Sequence, residues 1–264
     1  MRVVTANIHA DVDGYGRPTD ALKCVLALQP DLLFVQELWR SSEDHVSRIE
    51  SSGLTCVGFE PLGRARRFRE GRPGAGWEPR LGLLTGDEGL YFSSQRPLSA
   101  RRQREYDHRP GGDDGDWGFG IFTRYAVDRV ERLPVPQLRR DKVRRSVLMA
   151  DLRGDDGELF TVIAVHGPHL SHGSLRHYRH LSQQLRLQLH GRRVILAGDF
   201  NCWRPLLRTV LPGWRSAVRR KTWPAWRPHS QIDHILLRGP WTVGDTRSTV
   251  TGSDHRALVV NLEA

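Results

Sequence analysis

Apolar residues along the chain fall into short continuous runs of the kind that form strands buried on both faces. The runs are Val3 to Ile8, Leu32 to Val35, Gly120 to Thr123, Ser146 to Leu152, Leu159 to Val165, Val194 to Ala197, Ile235 to Leu237 and Ala257 to Leu262. Helical spacing occurs in two places. Leu22, Val25 and Leu26 share a face after Thr19, a residue able to cap the helix, and before Pro30, which stops it. Leu175, Tyr178, Leu181, Leu185 and Leu189 recur at intervals of three and four. Strand, helix, strand therefore occurs twice, with Asn7 and then Glu37 at the strand exits of the first unit and His166 and then Asp199 at those of the second. From Pro61 to Gly118 the periodicity weakens, and loop with short strands is predicted to cross between two halves. Arg64, Arg66, Arg67, Arg69 and Arg72 read there as a solvated surface or a phosphate track. Asp113, Asp114 and Asp116 begin like a calcium loop but lack its closing glutamate.

The strand exits carry the candidate chemistry. Val194 to Trp203 reads Val-Ile-Leu-Ala-Gly-Asp-Phe-Asn-Cys-Trp, so a buried strand leaves through Gly198 and presents Asp199 and Asn201 two residues apart. A carboxylate that holds a cation or orients water, beside an amide that contacts phosphate without repelling it, suits metal-assisted phosphate chemistry. Gly-Asp-x-Asn is also an ordinary turn. Glu37 reads as a metal ligand at a strand end or, more readily, as the first solvated residue beyond the core. His166, His169, His172, His177 and His180 crowd together without a zincin spacing, so His166 is read as functional and the rest as surface. Trp203, Trp214, Trp223 and Trp226 alternate with arginines from Arg204 to Arg227. These rings either stack bases while guanidinium groups hold phosphate, or pack beside a short core helix containing Leu206, Leu207, Val210 and Leu211. Asp233-His234 and Ser253-Asp254-His255 each precede a strand, where a carboxylate can fix the tautomer of a proton-transferring imidazole.

Composition narrows the partners more than the fold. The net charge of +10 favours an anionic ligand, but nearly every basic residue is arginine, a bias that coding composition also produces. Three scattered cysteines indicate neither a disulfide framework nor a cysteine zinc site. No apolar leader or membrane-length segment is read, and the expectation is a cytoplasmic protein that does not work on membranes.

Taken together and in order, Thr5-Ala-Asn7, Gln36-Glu37, Val165-His166, Gly198-Asp-Phe-Asn201, Ile232-Asp233-His234 and Ser253-Asp254-His255 resemble the motifs of the endonuclease/exonuclease/phosphatase family. The resemblance spans nearly the whole chain. It implies one deoxyribonuclease-like domain over residues 1–264, built as a four-layer α/β/β/α sandwich of two packed mixed sheets, with Mg²⁺ or Mn²⁺ as cofactor. It further implies Glu37 as principal metal ligand, helped by Asn7 and Asp254. Asp199 would orient and activate water, Asn201 would hold a phosphate oxygen, and Asp233 would pair with His255. His166 would stabilise the transition state or serve the leaving group, with His169 taking that place if the preceding strand runs longer. Arg145, and Trp203, Trp223 and Trp226, would contact substrate. The implied activity is phosphodiester hydrolysis of nucleic acid, with a small-molecule or lipid-headgroup phosphate as the alternative substrate. A catalytically inert binding module is the third reading, at odds with the intact set Glu37, Asp199, Asn201, Asp254 and His255.

Overall fold

The computed structural model describes residues 1–11, 19–40, 44–68, 112–141, 143–189 and 191–263. In chain order the elements are β1 (Arg2–Asn7), α1 (Ala21–Leu26), β2 (Leu32–Arg40), α2 (His45–Glu50), β3 (Thr55–Phe68), β4 (Gly112–Thr123), β5 (Ala126–Pro134), β6 (Ser146–Arg153) and β7 (Leu159–His166). They continue with α3 (Ser174–Gln188), β8 (Val194–Asp199), α4 (Arg204–Val210), β9 (Arg215–Ser216), β10 (Asp233–Arg238), β11 (Thr242–Val250) and β12 (Arg256–Glu263). Two six-stranded sheets result, ordered β11-β12-β1-β2-β4-β3 and β5-β6-β7-β8-β10-β9.

Both faces of the central strands are buried, which is why they read as unbroken apolar runs. Val3, Leu32, Phe34, Ile195, Ala197 and Val260 point into one core between the sheets. Their neighbours Val4, Leu33, Val35 and Val259 pack outward with Leu22 and Val25 of α1 and Ile49 of α2. On the second sheet Val194, Leu196 and Ile163 pack outward against Tyr178, Leu181 and Leu185 of α3 and Leu207 and Val210 of α4. Helix, sheet, sheet, helix is the layering that this alternation produces. The two sheets share one pairing scheme: β1 and β2 are parallel, as are β7 and β8, and antiparallel pairs complete each sheet. The twofold echo in the sequence is thus a repeat of topology.

Three expectations are corrected. The stretch from Pro61 to Gly118 contains no crossing loop where it is described. Residues 61–68 continue β3 and residues 112–118 open β4, in a register that sets Arg64 opposite Asp116, Arg66 opposite Asp114 and Arg67 opposite Asp113. Arg69 and Arg72 lie outside the described residues. Thr19 does not cap α1: the N-cap is Asp20, without a side-chain bond, and buried Asp11 accepts the Leu22 N–H at 2.7 Å instead. His234 is turned away from Asp233 by strand alternation. Its ring is fully buried against Phe200, with Nε2 2.9 Å from the Cys202 carbonyl. No helix among the described residues is long and apolar enough to cross a membrane.

Burial holds His234 down to about 4. The folded chain therefore refuses a proton that the unfolded chain accepts near pH 6.5, so its contribution to stability falls as pH drops from about 6.5 towards 4. Urea unfolding should show about 2 kcal/mol of His234-dependent loss between pH 7 and pH 5. His234→Gln, which keeps a donor but does not titrate, should remove that part of the pH dependence.

Candidate active site

One end of the sandwich gathers the strand exits. Parallel pairing puts Asn7 beside Gln36 and His166 beside Asp199, and antiparallel pairing puts Asp233 opposite Asp199. Glu37 would alternate away from Gln36, but a bulge between Gln36 and Leu38 re-aims it, with Glu37 at φ +56°. A left-handed backbone at a non-glycine residue costs about 1 kcal/mol or more and persists where the surroundings enforce it. Gly198 has the opposite logic. At φ +145° any Cβ would stand 2.0 Å from the Val165 carbonyl oxygen, so only glycine lets β8 approach β7 this closely.

Asn7 links the two central acids. Its amide donates to Glu37 Oε1 at 3.1 Å and to Asp199 Oδ2 at 3.2 Å. His166 Nε2 stands over the same pair, 3.9 Å from Glu37 Oε1 and 3.8 Å from Asp199 Oδ2. The Asn201 backbone N–H donates to Asp199 Oδ1 at 2.8 Å, and its amide donates to the Gly167 carbonyl at 3.1 Å. His255 closes the far side, with Nε2 4.0 Å from Asp199 Oδ2 and Nδ1 2.9 Å from Asp233 Oδ2. Asp254 accepts from the Ser253 hydroxyl at 3.3 Å and from the Trp223 side chain.

The electrostatics follow from burial and neighbours. Burial and then repulsion from Asp233 lift the Asp199 carboxyl to about 7, against the opposing charge of His255. Burial works against charge on His255 too, yet Asp233 and Asp254 carry it well above the ordinary histidine range. His166 is driven the other way, first by burial and then by the Arg145 charge, so it is a neutral imidazole. One imidazolium and one neutral imidazole thus flank Asp199. Among the described residues, Asp199, Asp233 and His255 offer ligand atoms within 4.8 Å of one another. That trio is better read as an ion pair beside a carboxylate, because a metal-ligating histidine must be unprotonated.

The remaining sequence candidates divide. Arg145 lies behind the site, bonded to Asp141 Oδ2 at 2.9 Å and to the His166 carbonyl at 3.0 Å, so it braces the exit of β7. It also lines a cavity of about 630 Å³ with Glu60, Asp116, Arg132 and Arg144. His169 is exposed at the start of the turn after β7, edge-on to His172, while His166 is the one facing the carboxylates. Trp203 and Trp226 are 52% and 62% exposed and Trp223 is half-buried beside Asp254. Leu207, Val210 and Leu211 are buried, so the core helix and the exposed rings coexist. Two neighbours carried no sequence signal. His9, beyond β1, reaches between Glu37 and Asp254, and Trp117 of β4 sets its ring edge-on to His166 with centroids 5.8 Å apart. His9 directly follows the run Val3 to Ile8, but Asn7 reads as the polar exit of that strand, and Trp117 lies before the run Gly120 to Thr123 rather than at its end.

Two stacked mixed sheets with buried carboxylates, amides and imidazoles at one end define a class of phosphoester hydrolases. The chain belongs to the endonuclease/exonuclease/phosphatase family, whose sequence profile matches residues 4–255. Members of this family typically use a divalent metal. The catalytic domain of human Nocturnin, solved with a bound sulfate anion, superposes with a TM-score of 0.66 at 17% identity, covering 100% of this chain and 93% of that one. D. rerio TDP2 in complex with a single-strand DNA product gives 0.61 at 16%, over 100% and 99% of the two chains. A mannosyl-6-phosphatase of Bacteroides thetaiotaomicron gives 0.61 at 15%, over 100% of both. No curated protein sequence matches the chain.

Proposed function

We propose that this enzyme is a divalent-metal-dependent phosphodiesterase of nucleic acid, working by in-line attack of water. The observation that carries the reading is the joint hold of Asn7 on Glu37 and Asp199, with neutral His166 above both acids and the Asp233–His255 ion pair beside them. The donor set fits Mg²⁺ or Mn²⁺. Three acids, Glu37, Asp199 and Asp254, crowd one place, and His9 and His166 present nitrogens to them at 3.7–3.9 Å without hydrogen-bonding them. Glu37 would hold the metal, with Asn7 and Asp254 placing it or its waters. A bound cation supplies Lewis acidity and neutralises charge that builds on the phosphate oxygens.

The chain's own groups supply the rest. Asp199, ionised, accepts a proton from the attacking water. Asn201 offers its amide to a phosphate oxygen, and His255, kept protonated by Asp233, stabilises the developing negative charge. His166 donates from Nε2 to the phosphate or leaving oxygen. Arg145 acts through His166, fixing the backbone that carries it.

Nucleic acid as substrate is supported by the net charge of +10 and by the largely exposed Trp203 and Trp226, in a stretch that also carries Arg204, Arg208 and Arg227. The three unpaired cysteines agree with a reducing, cytoplasmic setting. A phosphorylated small molecule is the second reading, favoured by the arginine-lined cavity beside Arg145. Hydrolysis of plasmid, single-stranded DNA, RNA, abasic duplex and a small phosphodiester with Mg²⁺, Mn²⁺ or EDTA separates the two. Trp203→Ala should raise KM for single-stranded DNA about tenfold, the worth of one stacked base, and leave the small phosphodiester unaffected. Equal effects on both substrates would remove the stacking role. DNA binding that persists in EDTA without any hydrolysis would indicate a binding module.

A further inference from the structure

His9 sits inside the constellation yet has no place in the chemistry above. It is 6% exposed, with Nε2 3.9 Å from Glu37 Oε2 and Nδ1 3.7 Å from Asp254 Oδ1. Both separations exceed a hydrogen bond, and Nδ1 is a buried polar atom with no hydrogen-bond partner. The ring is held there at some conformational expense. His9, Ala10 and Asp11 all have positive φ, at 47°, 52° and 61°, in a turn closed by the Asp11 N–H on the Ile8 carbonyl. Asn7 Oδ1 accepts the His9 N–H at 3.0 Å, and Asp11 is pinned by Arg48 at 3.0 Å and the Leu22 N–H at 2.7 Å. Three consecutive left-handed residues persist only when the surroundings over-determine them.

The distances suit a shared cation better than a contact. Two donors each about 2.1 Å from one ion stand about 3.0 Å apart at a right angle and about 4.2 Å apart in line, and 3.9 Å falls between. A ligating histidine normally turns its other N–H to a carboxylate, and Asp254 is there to receive it. His166 also lies 3.9 Å from Glu37, and its Nδ1 is likewise buried without a hydrogen-bond partner, but among the described residues no carboxylate stands within 4.0 Å of that nitrogen as Asp254 does for His9.

Resting on the metal-dependent reading of this site, we propose that His9 is a nitrogen ligand of the cation held by Glu37, with Asp254 as its positioning carboxylate, so that the site favours imidazole-tolerant transition metals over Mg²⁺. Imidazole adds little for Mg²⁺, somewhat more for Mn²⁺ and much for Co²⁺ relative to an all-oxygen site. The test is calorimetric titration of Co²⁺ and Mg²⁺ into the full chain and into His9→Ala, His166→Ala and Glu37→Gln. Electron-spin-echo spectroscopy of bound Mn²⁺, on native protein labelled with ¹⁵N-histidine, reads the nitrogen ligand without relying on a variant. The expected result is histidine nitrogen coupling that His9→Ala abolishes and His166→Ala preserves. His9→Ala should weaken Co²⁺ at least about tenfold and Mg²⁺ far less, and Glu37→Gln should weaken both. Unchanged or tighter Co²⁺ binding in His9→Ala, or coupling lost only in His166→Ala, overturns the role of His9 while leaving metal at Glu37. Absence of binding by the native chain overturns both readings.

Discussion

Glu37→Gln is expected to lower metal-dependent hydrolysis by about three orders of magnitude or more while the fold survives. The amide keeps the shape and can still meet the Asn7 amide through its oxygen, which now accepts at 3.1 Å, but the charge that holds the cation is gone. Glu37 is half-buried and shares its surroundings with two other acids, so removing its charge relieves repulsion in the metal-free protein. Its melting temperature should be equal to or above that of the native chain. Stabilisation by added metal should vanish, because only binding to the folded state raises stability: a native chain at 100 Kd gains about 2.7 kcal/mol. Melting curves with and without Mg²⁺ or Mn²⁺, beside steady-state assays, check both halves. Full hydrolysis by Glu37→Gln would remove it as principal metal ligand, and unfolding would make it structural.

What could be read from the chain alone follows where burial is two-sided. β1, β2, β7, β8, β10 and β12 are packed between a second sheet and helices, so most of their central positions are apolar and the run is visible. β5 and β11 lie at sheet edges and are mostly exposed, with charged residues such as Arg129, Glu131, Asp245 and Arg247, and they leave no apolar signature. The outer part of the β3–β4 ribbon is invisible for a related reason, since its register sets arginine positions opposite aspartate positions and contains no apolar run, and only Gly120 to Thr123 shows.

The site shows the same division. Residues that terminate a buried strand stood out because polarity changes abruptly there, as at Asn7, His166 and Asp199. Pairings across space left no mark in the residue pattern and came only through the family resemblance: Asp233 meets His255, 22 residues away, whereas its sequence neighbour His234 faces the opposite core. His9 opens a run of three left-handed residues, a backbone path that composition and periodicity do not encode. Arg145 stood out as a strand-opening arginine, but its bond to Asp141, four residues earlier, gives it a bracing place behind His166.

Asp199→Asn should abolish turnover and yet stabilise the metal-free protein at neutral pH, a combination that a damaged fold cannot give. As a proton acceptor Asp199 has no equal among its contacts, since Asn7 and Asn201 do not titrate, His255 is already protonated, and burial with the Arg145 charge makes neutral His166 a poor base, so a loss of about three orders of magnitude or more in kcat is expected. In the native chain, kcat/KM should rise about tenfold per pH unit on the acid side and level off at or below about pH 7, because a bound cation can only lower the carboxyl's pKa. The same shift weighs on the stability of the folded chain. Burial and Asp233 raise the carboxyl from 3.8 to about 7, so the folded state disfavours the anion. That penalty is absent near pH 4, grows as pH rises, and reaches about 4 kcal/mol above pH 7. Asparagine removes it but turns an NH₂ group towards the Asn7 amide, a lost charged hydrogen bond of about 2 kcal/mol, leaving a net gain of about 2 kcal/mol. Urea unfolding of both chains in EDTA at pH 5 and pH 8 should show the advantage of Asp199→Asn growing with pH. An advantage that shrinks with pH would mean that the carboxylate is stabilised by its hydrogen bonds rather than held, as its burial implies, in readiness for a cation.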